Sequence, residues 1–87
     1  GDAAAAEFLA EIDRARLEAL GVHARAAAAT GHLTVAEETC RDVLFATTDG
    51  TLWRTLVEGR GWTDEDYAAW LSHLWVATLV EGTGRST

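Results

Sequence analysis

The last quarter of the chain, from Trp62 to Val80, places apolar side chains around nearly the whole circumference of a predicted helix. One wide stripe at helical spacing comprises Tyr67, Trp70, Leu71, Leu74, Trp75 and Thr78. A second stripe, containing Ala69, Val76 and Val80, lies roughly on the opposite side. A chain of 87 residues buries only a modest share of its surface, so it cannot cover both stripes by itself. We therefore expect this helix to pack against a second copy of the chain.

The composition indicates a single all-α domain over residues 1–87, built as a helical bundle of three to four helices. Proline is absent, and Ala, Leu, Arg and Glu dominate the sequence. Cys40 is the only cysteine, so the chain has no internal disulfide, which favours a cytoplasmic location. Met is also absent. Because translation starts at Met, we expect the chain to be part of a longer protein.

The charge of the chain restricts its partners. The sequence has 14 acidic residues against 7 basic ones and a formal net charge of -7. Proteins bind nucleic acids largely through Lys and Arg, so we expect no direct nucleic-acid contact by this chain. Its longest uncharged run, residues 67–80, is too short to cross a membrane. His23, His32, His73 and Cys40 lack the spacing of metal ligands, so neither a metal nor a cofactor is expected.

Helix start and stop signals divide the chain into four predicted helices. The first runs from about Ala3 to Thr30 and continues through Gly21, because its apolar stripe resumes in phase after that glycine. That stripe comprises Phe8, Ile12, Ala15, Ala19, Val22 and Ala26, and Leu9, Leu20 and Ala27 widen it on one side. Gly31 is expected to end this helix as a left-handed C-terminal cap. The second helix follows a capping box at Thr34 and Glu37 and ends near Thr48. The third spans about residues 50–58, and the last begins after Thr63 and is stopped by Gly82.

Two runs of the sequence resemble the C-terminal part of TetR-family transcriptional regulators. They are the Asp-Val-Leu-aromatic-Ala-Thr run of residues 42–47 and the Leu-Val-x-x-x-Gly-Trp-Thr turn of residues 56–63. The resemblance extends over about residues 22–80. It implies an all-helical regulatory domain whose last long helices, here about residues 35–48 and 64–80, pair with a second subunit in a four-helix bundle. The family's N-terminal helix-turn-helix is not present in this sequence.

Candidate site residues follow from this resemblance together with the apolar stripes. The predicted homodimer interface comprises Val43, Leu44, Thr47, Trp70, Leu71, Leu74, Val76 and Thr78. A site for a small hydrophobic effector is predicted at Phe8, Ile12, Ala15, Ala19 and Trp53. Close helix packing explains Ala15 and Ala19 as simply as an effector cavity does. Bulk burial explains Trp53 better than an effector site does.

No Ser, His and acidic set completes a catalytic site, so an enzyme is not expected. The alternative to a regulator domain is a standalone acidic helical module that binds a basic protein partner.

Overall fold

The computed structural model describes residues 2–80 and shows an all-α chain. Helix α1 spans Asp2–Ala29, α2 spans Glu37–Thr47, α3 spans Thr51–Trp53 and α4 spans Asp64–Leu79. A π-helical segment, Arg54–Glu58, continues directly from α3. Within residues 2–80 an isolated antiparallel β-bridge joins Leu33 and Val80.

Helix α1 is continuous through Gly21, as predicted from the phase of its stripe. It ends where Gly31 adopts a left-handed conformation with φ of 80°. Residues with a Cβ rarely adopt this conformation, so the glycine permits the chain to reverse after the helix. The Thr30 side chain also accepts a hydrogen bond from the His32 amide, which stabilises the turn.

The predicted capping box at Thr34 and Glu37 is wrong. Helix α2 begins at Glu37 with Ala36 as its N-cap, and no side-chain oxygen caps it. Thr34 instead bonds to the end of α4: its amide donates to the Leu79 carbonyl at 2.9 Å and its hydroxyl to the Thr78 carbonyl at 3.4 Å. These contacts hold Thr34 beside the last turn of α4, satisfying carbonyls that the helix itself leaves unpaired.

The start of α4 follows the sequence prediction, and its end agrees within one residue with the predicted range of about residues 64–80. The Thr63 hydroxyl accepts a hydrogen bond from the Asp66 amide at 3.0 Å, as an N-cap does. The helix then ends at Leu79, and Val80 is already extended. The predicted stop residue, Gly82, lies outside the described residues.

Few side chains are buried in the described part of the chain. The buried set there is Ala24, Cys40, Leu71 and Leu79, and it includes no polar residue. The radius of gyration is 15.5 Å, against about 12 Å for a compact domain of this length. The chain forms a slab of 55 × 34 × 15 Å, which is little more than one helix thick. Its own residues therefore build only a thin core.

Helix α1 packs on α2 through a different face from the one predicted. The buried or half-buried face of its second half comprises Leu17, Leu20, Gly21, Ala24, Ala27 and Ala28. The predicted stripe is exposed, with Phe8 66% and Val22 58% accessible to solvent. Gly21 and Ala24 have small side chains that let Arg41 and Cys40 of α2 approach closely. The face of α1 that meets α2 therefore combines the small Gly21 and Ala24 with the apolar Leu17 and Leu20.

Arg16 joins α1 to the end of α2. Its guanidinium lies 4.0 Å from the centroid of the Phe45 ring. The same group donates hydrogen bonds to the Phe45 carbonyl at 3.1 Å and to the Thr48 hydroxyl at 2.9 Å. Arg16 thus combines a cation–π contact with satisfaction of a C-terminal helix carbonyl.

Replacing Arg16 by Met is expected to lower the free energy of unfolding by about 1 to 2 kcal/mol, because the cation–π contact and two hydrogen bonds are lost. Urea denaturation followed by circular dichroism measures this change. Arg14→Met is the matched control, since the Arg14 guanidinium bonds to the exposed carboxylate of Glu11 on the same helix. It should cost no more than about 0.5 kcal/mol. Equal losses in the two variants would contradict the role assigned to Arg16.

Candidate functional site

The predicted interface residues of α2 lie where α2 and α4 meet. Val43 and Leu44 pack against the buried cluster of Ala24, Cys40 and Leu79 within the same chain. The Thr47 hydroxyl accepts a hydrogen bond from the Trp75 indole Nε1 at 2.9 Å. These residues therefore already take part in joining α2 to α4 inside one chain.

The predicted interface residues of α4 divide between two sides of the helix. Leu71 is buried, and Trp70 and Leu74 are half-buried, on the side that faces the rest of the chain. Val76 is 44% exposed, and Thr78 is also exposed. The wide aromatic stripe thus mostly packs inward, whereas in the second stripe Ala69 and Val76 are exposed and Val80 packs against the buried cluster.

One exposed side of α4, which we call the α4 flank, consists of small residues around one branched side chain. Its members are Ala69, Ser72, His73, Val76 and Ala77, all of which are exposed. They recur at intervals of three, four and seven residues, so they form a continuous strip along the helix. The strip carries no carboxylate and no Arg. Its small side chains permit close approach by another helix.

The predicted effector residues separate into two places. Phe8, Ile12, Ala15 and Ala19 share one exposed face of α1. Trp53 lies on α3, where its indole Nε1 donates to the Asp64 carboxylate at 2.7 Å. This hydrogen bond connects α3 with the first turn of α4. The four α1 residues lie on an open surface of the chain, and the effector site stays a prediction.

Two surface cavities are lined by other residues. One, of about 310 Å³, lies between α1 and α2 and is lined by Leu17, Glu18, Gly21, Ala24, Arg25, Glu37, Glu38 and Arg41. Three carboxylates and two guanidinium groups make its wall strongly polar. The other, of about 480 Å³, lies beside Trp62 and Trp70, whose rings meet edge to face at 5.8 Å. This second hollow is the more apolar of the two, although it is wide open.

Two side chains have shifted pKa values. Burial raises the pKa of the Cys40 thiol, and the negative charge of Glu37 raises it further. The thiol therefore stays protonated and acts as a small apolar core group. The Thr51 amide donates a hydrogen bond to the Asp49 carboxylate and lowers its pKa. Asp49 thus stabilises the turn that leads into α3, although the N-cap residue of this helix is Gly50 and no side chain caps it.

Among residues 2–80, no group of three or more His, Cys, Asp and Glu side chains is arranged to hold a metal ion. In the same part of the chain, no helix combines the length and the apolar character needed to cross a membrane. No protein-family model, curated protein or solved structure matched the chain in comparisons with known proteins. Functional inference therefore depends on the helix surfaces themselves.

Two contacts that organise these surfaces have no clear signal in the sequence. Arg16 reaches Phe45 across 29 positions, and Trp53 reaches Asp64 across 11. Neither pair falls at the spacing of neighbours on one helix. Helical periodicity gives neighbours within a helix, whereas these pairs depend on how separate helices are placed.

The bond between Thr47 and Trp75 should contribute measurably to the junction of α2 and α4. Thr47→Val preserves the branched shape but leaves the half-buried indole N–H without its acceptor. We expect the free energy of unfolding to fall by about 1 kcal/mol, measured by urea denaturation with tryptophan fluorescence. Thr39→Val, at an exposed position of α2, is the matched control and should change stability by less than about 0.5 kcal/mol. A Thr47→Val chain as stable as the control would contradict this assignment.

Proposed function

We propose that the chain is the dimerisation and effector-response domain of a TetR-like transcriptional regulator. Two copies associate through the α4 flank and the adjoining part of α2 to form a four-helix bundle. The observation that carries the proposal is the exposed α4 flank in a chain that buries so few of its own side chains. The sequence runs at residues 42–47 and 56–63 supply the family resemblance.

The energetics of the chain support association. Residues 2–80 bury four side chains, two of which are the small Ala24 and Cys40, and this set supplies little apolar burial. A second copy placed on the α4 flank would remove Val76 and the neighbouring alanines from water. Such burial adds stability that the single chain lacks, because the hydrophobic contribution grows with the apolar area removed from solvent.

The composition of the α4 flank favours a second copy over a charged partner. Two identical strips related by a two-fold axis bring no carboxylate against another, despite the net charge of -7 for each chain. Asp64, Glu65 and Asp66 lie in the first turn, at the N-terminal end of α4, where they are exposed to water. The acidic charge of the chain therefore does not oppose pairing along the middle of α4.

In this proposal the bundle determines the distance between two DNA-binding modules carried elsewhere in the intact regulator. A small hydrophobic effector would act by binding the two possible subunit geometries with different affinities. The distance between the two modules would determine which DNA sites they can contact together, because a symmetric dimer reads two half-sites at a set separation.

Val76→Glu is expected to dissociate this dimer, because each copy would bring a charge into a surface that must lose its water. We expect the dimer dissociation constant to rise about 100-fold or more, measured by sedimentation equilibrium at low micromolar concentration. Val76 is exposed in the single chain, so the variant should keep its helical circular dichroism spectrum.

Thr51→Glu is the matched control, since it adds the same charge at an exposed position outside α4. This variant should remain dimeric at the concentrations that dissociate Val76→Glu. A wild-type chain that sediments as a monomer throughout the low micromolar range would refute the proposed dimer. That result would favour the acidic module that binds a basic protein partner.

A further inference from the structure

Helix α1 has two apolar faces, and only one of them packs within the chain. The face that contains Gly21 and Ala24 contacts α2. The opposite face contains Phe8, Ile12 and Val22, which are 66%, 45% and 58% exposed. In addition, every described residue of α1 before Arg16 is exposed. About half of a 28-residue helix therefore extends beyond the rest of the chain.

The exposed face follows a heptad pattern. Apolar residues alternate at intervals of four and three along Phe8, Ile12, Ala15, Ala19, Val22 and Ala26. We call this set the α1 seam. Alternation of four and three keeps these residues on one side of the helix, as the a and d positions do where two helices pack along each other. The seam extends for about 27 Å along the helix axis. This pattern indicates that the partner of the seam is another α-helix.

We propose that the α1 seam pairs with the α1 seam of a second copy in an antiparallel arrangement. The sizes of the seam residues favour this orientation, because the largest residue, Phe8, lies at one end of the seam and Ala26 lies at the other. In an antiparallel pair, Phe8 faces Ala26 of the other copy and Ile12 faces Val22. The large Phe8 then meets a small alanine at both ends of the pair, which fills space better than packing two Phe8 rings together. A parallel pair would place Phe8 against Phe8 and alanine against alanine.

Charge complementarity also selects a second copy in this orientation. Residues 2–12 carry three carboxylates and no Arg, a net charge of -3. Residues 13–29 carry three Arg and two carboxylates, a net charge of +1. Antiparallel pairing about residue 17 places residues 5–12, with Glu7 and Glu11, beside residues 22–29 of the other copy, which carry Arg25 and no carboxylate. Beside the seam, Glu11 of each copy then lies near Arg25 of the other copy, which gives two equivalent ion pairs related by the two-fold axis.

The same geometry places the two Glu18 side chains near the axis. This like-charge approach opposes pairing, and three of the six seam residues are alanines with little area to bury. The seam contact is therefore the weaker of the two associations, and it forms at higher concentration than the α4 dimer. Helix α2 does not obstruct it, because α2 packs on the other face of α1. A chain with two isologous surfaces assembles beyond the dimer, and two perpendicular axes give a tetramer.

Crosslinking tests the orientation of the seam. Glu18→Cys places a thiol near the proposed axis, so a short thiol-specific crosslinker should join two copies efficiently. Ala5→Cys, at the next seam position before Phe8, is the control, because antiparallel pairing separates its two copies by about 36 Å. The wild-type chain controls for Cys40, which is buried. Crosslinking of Glu18→Cys alone supports the proposal, whereas crosslinking of Ala5→Cys, or of neither variant, overturns it.

Charge reversal tests the contact between Glu11 and Arg25 of the other copy. In a Val76→Glu background, which removes the α4 association, we expect Glu11→Arg or Arg25→Glu to weaken dimerisation about tenfold. The double variant should recover most of this loss, because the charges are exchanged and still opposite. Sedimentation equilibrium at low salt measures all four chains. Failure of the double variant to recover, or absence of any association in the Val76→Glu background, would overturn the seam proposal.

These results are distinguishable from those that test the proposed regulator domain. Loss of the α4 dimer with retained Glu18→Cys crosslinking would refute the α4 flank alone. A stable α4 dimer without Glu18→Cys crosslinking would refute the seam alone. Seam pairing does not depend on the family resemblance, because it rests on the exposure, spacing, size and charge of α1 residues.

Discussion

The structure depends on a close contact among three helices. Ala24 of α1, Cys40 of α2 and Leu79 of α4 form the buried cluster, and each helix contributes a single residue. The small side chains of Ala24 and Cys40 let α1 and α2 approach closely, so dispersion contacts compensate in part for the small buried area. The bond of Thr34 to the Leu79 carbonyl then holds the end of α4 at this contact. The other packing contacts extend outward from this point.

A core made of small residues leaves larger apolar groups at the surface. Phe8, Leu9 and Ile12 are exposed on α1, and Val76 is exposed on α4. These groups lie on different helices and differ in pattern: the α1 seam has a heptad spacing, whereas the α4 flank is a strip of small residues around Val76. Two surfaces of different construction are consistent with two associations of unequal strength. The middle of the α4 flank carries no carboxylate, whereas the two Glu18 side chains near the centre of the seam make that association the weaker one.

Much of the helical framework was predictable from local signals. The continuity of α1 through Gly21, the left-handed Gly31 and the Thr63 cap depend on residues close together in the chain, and all three predictions are confirmed. The capping box at Thr34 failed because a distant group, the Leu79 carbonyl, binds the Thr34 amide. The apolar stripe predicted for α1 matches the packed face only at its edge, where Leu20 and Ala27 are half-buried. Hydrophobicity favoured Phe8 and Ile12, which are exposed, whereas Gly21 and Ala24 lie against α2.

The sequence by itself determined the helical class, most helix boundaries and the excess of apolar side chains on α4, because these follow from local propensity and periodicity. Only the tertiary structure decided which apolar faces are used inside the chain. It assigned the wide stripe of α4 to the interior and left the α4 flank and the α1 seam exposed. The physical reason is that periodicity identifies an apolar face without identifying its partner. That choice depends on how closely particular side chains allow two helices to approach.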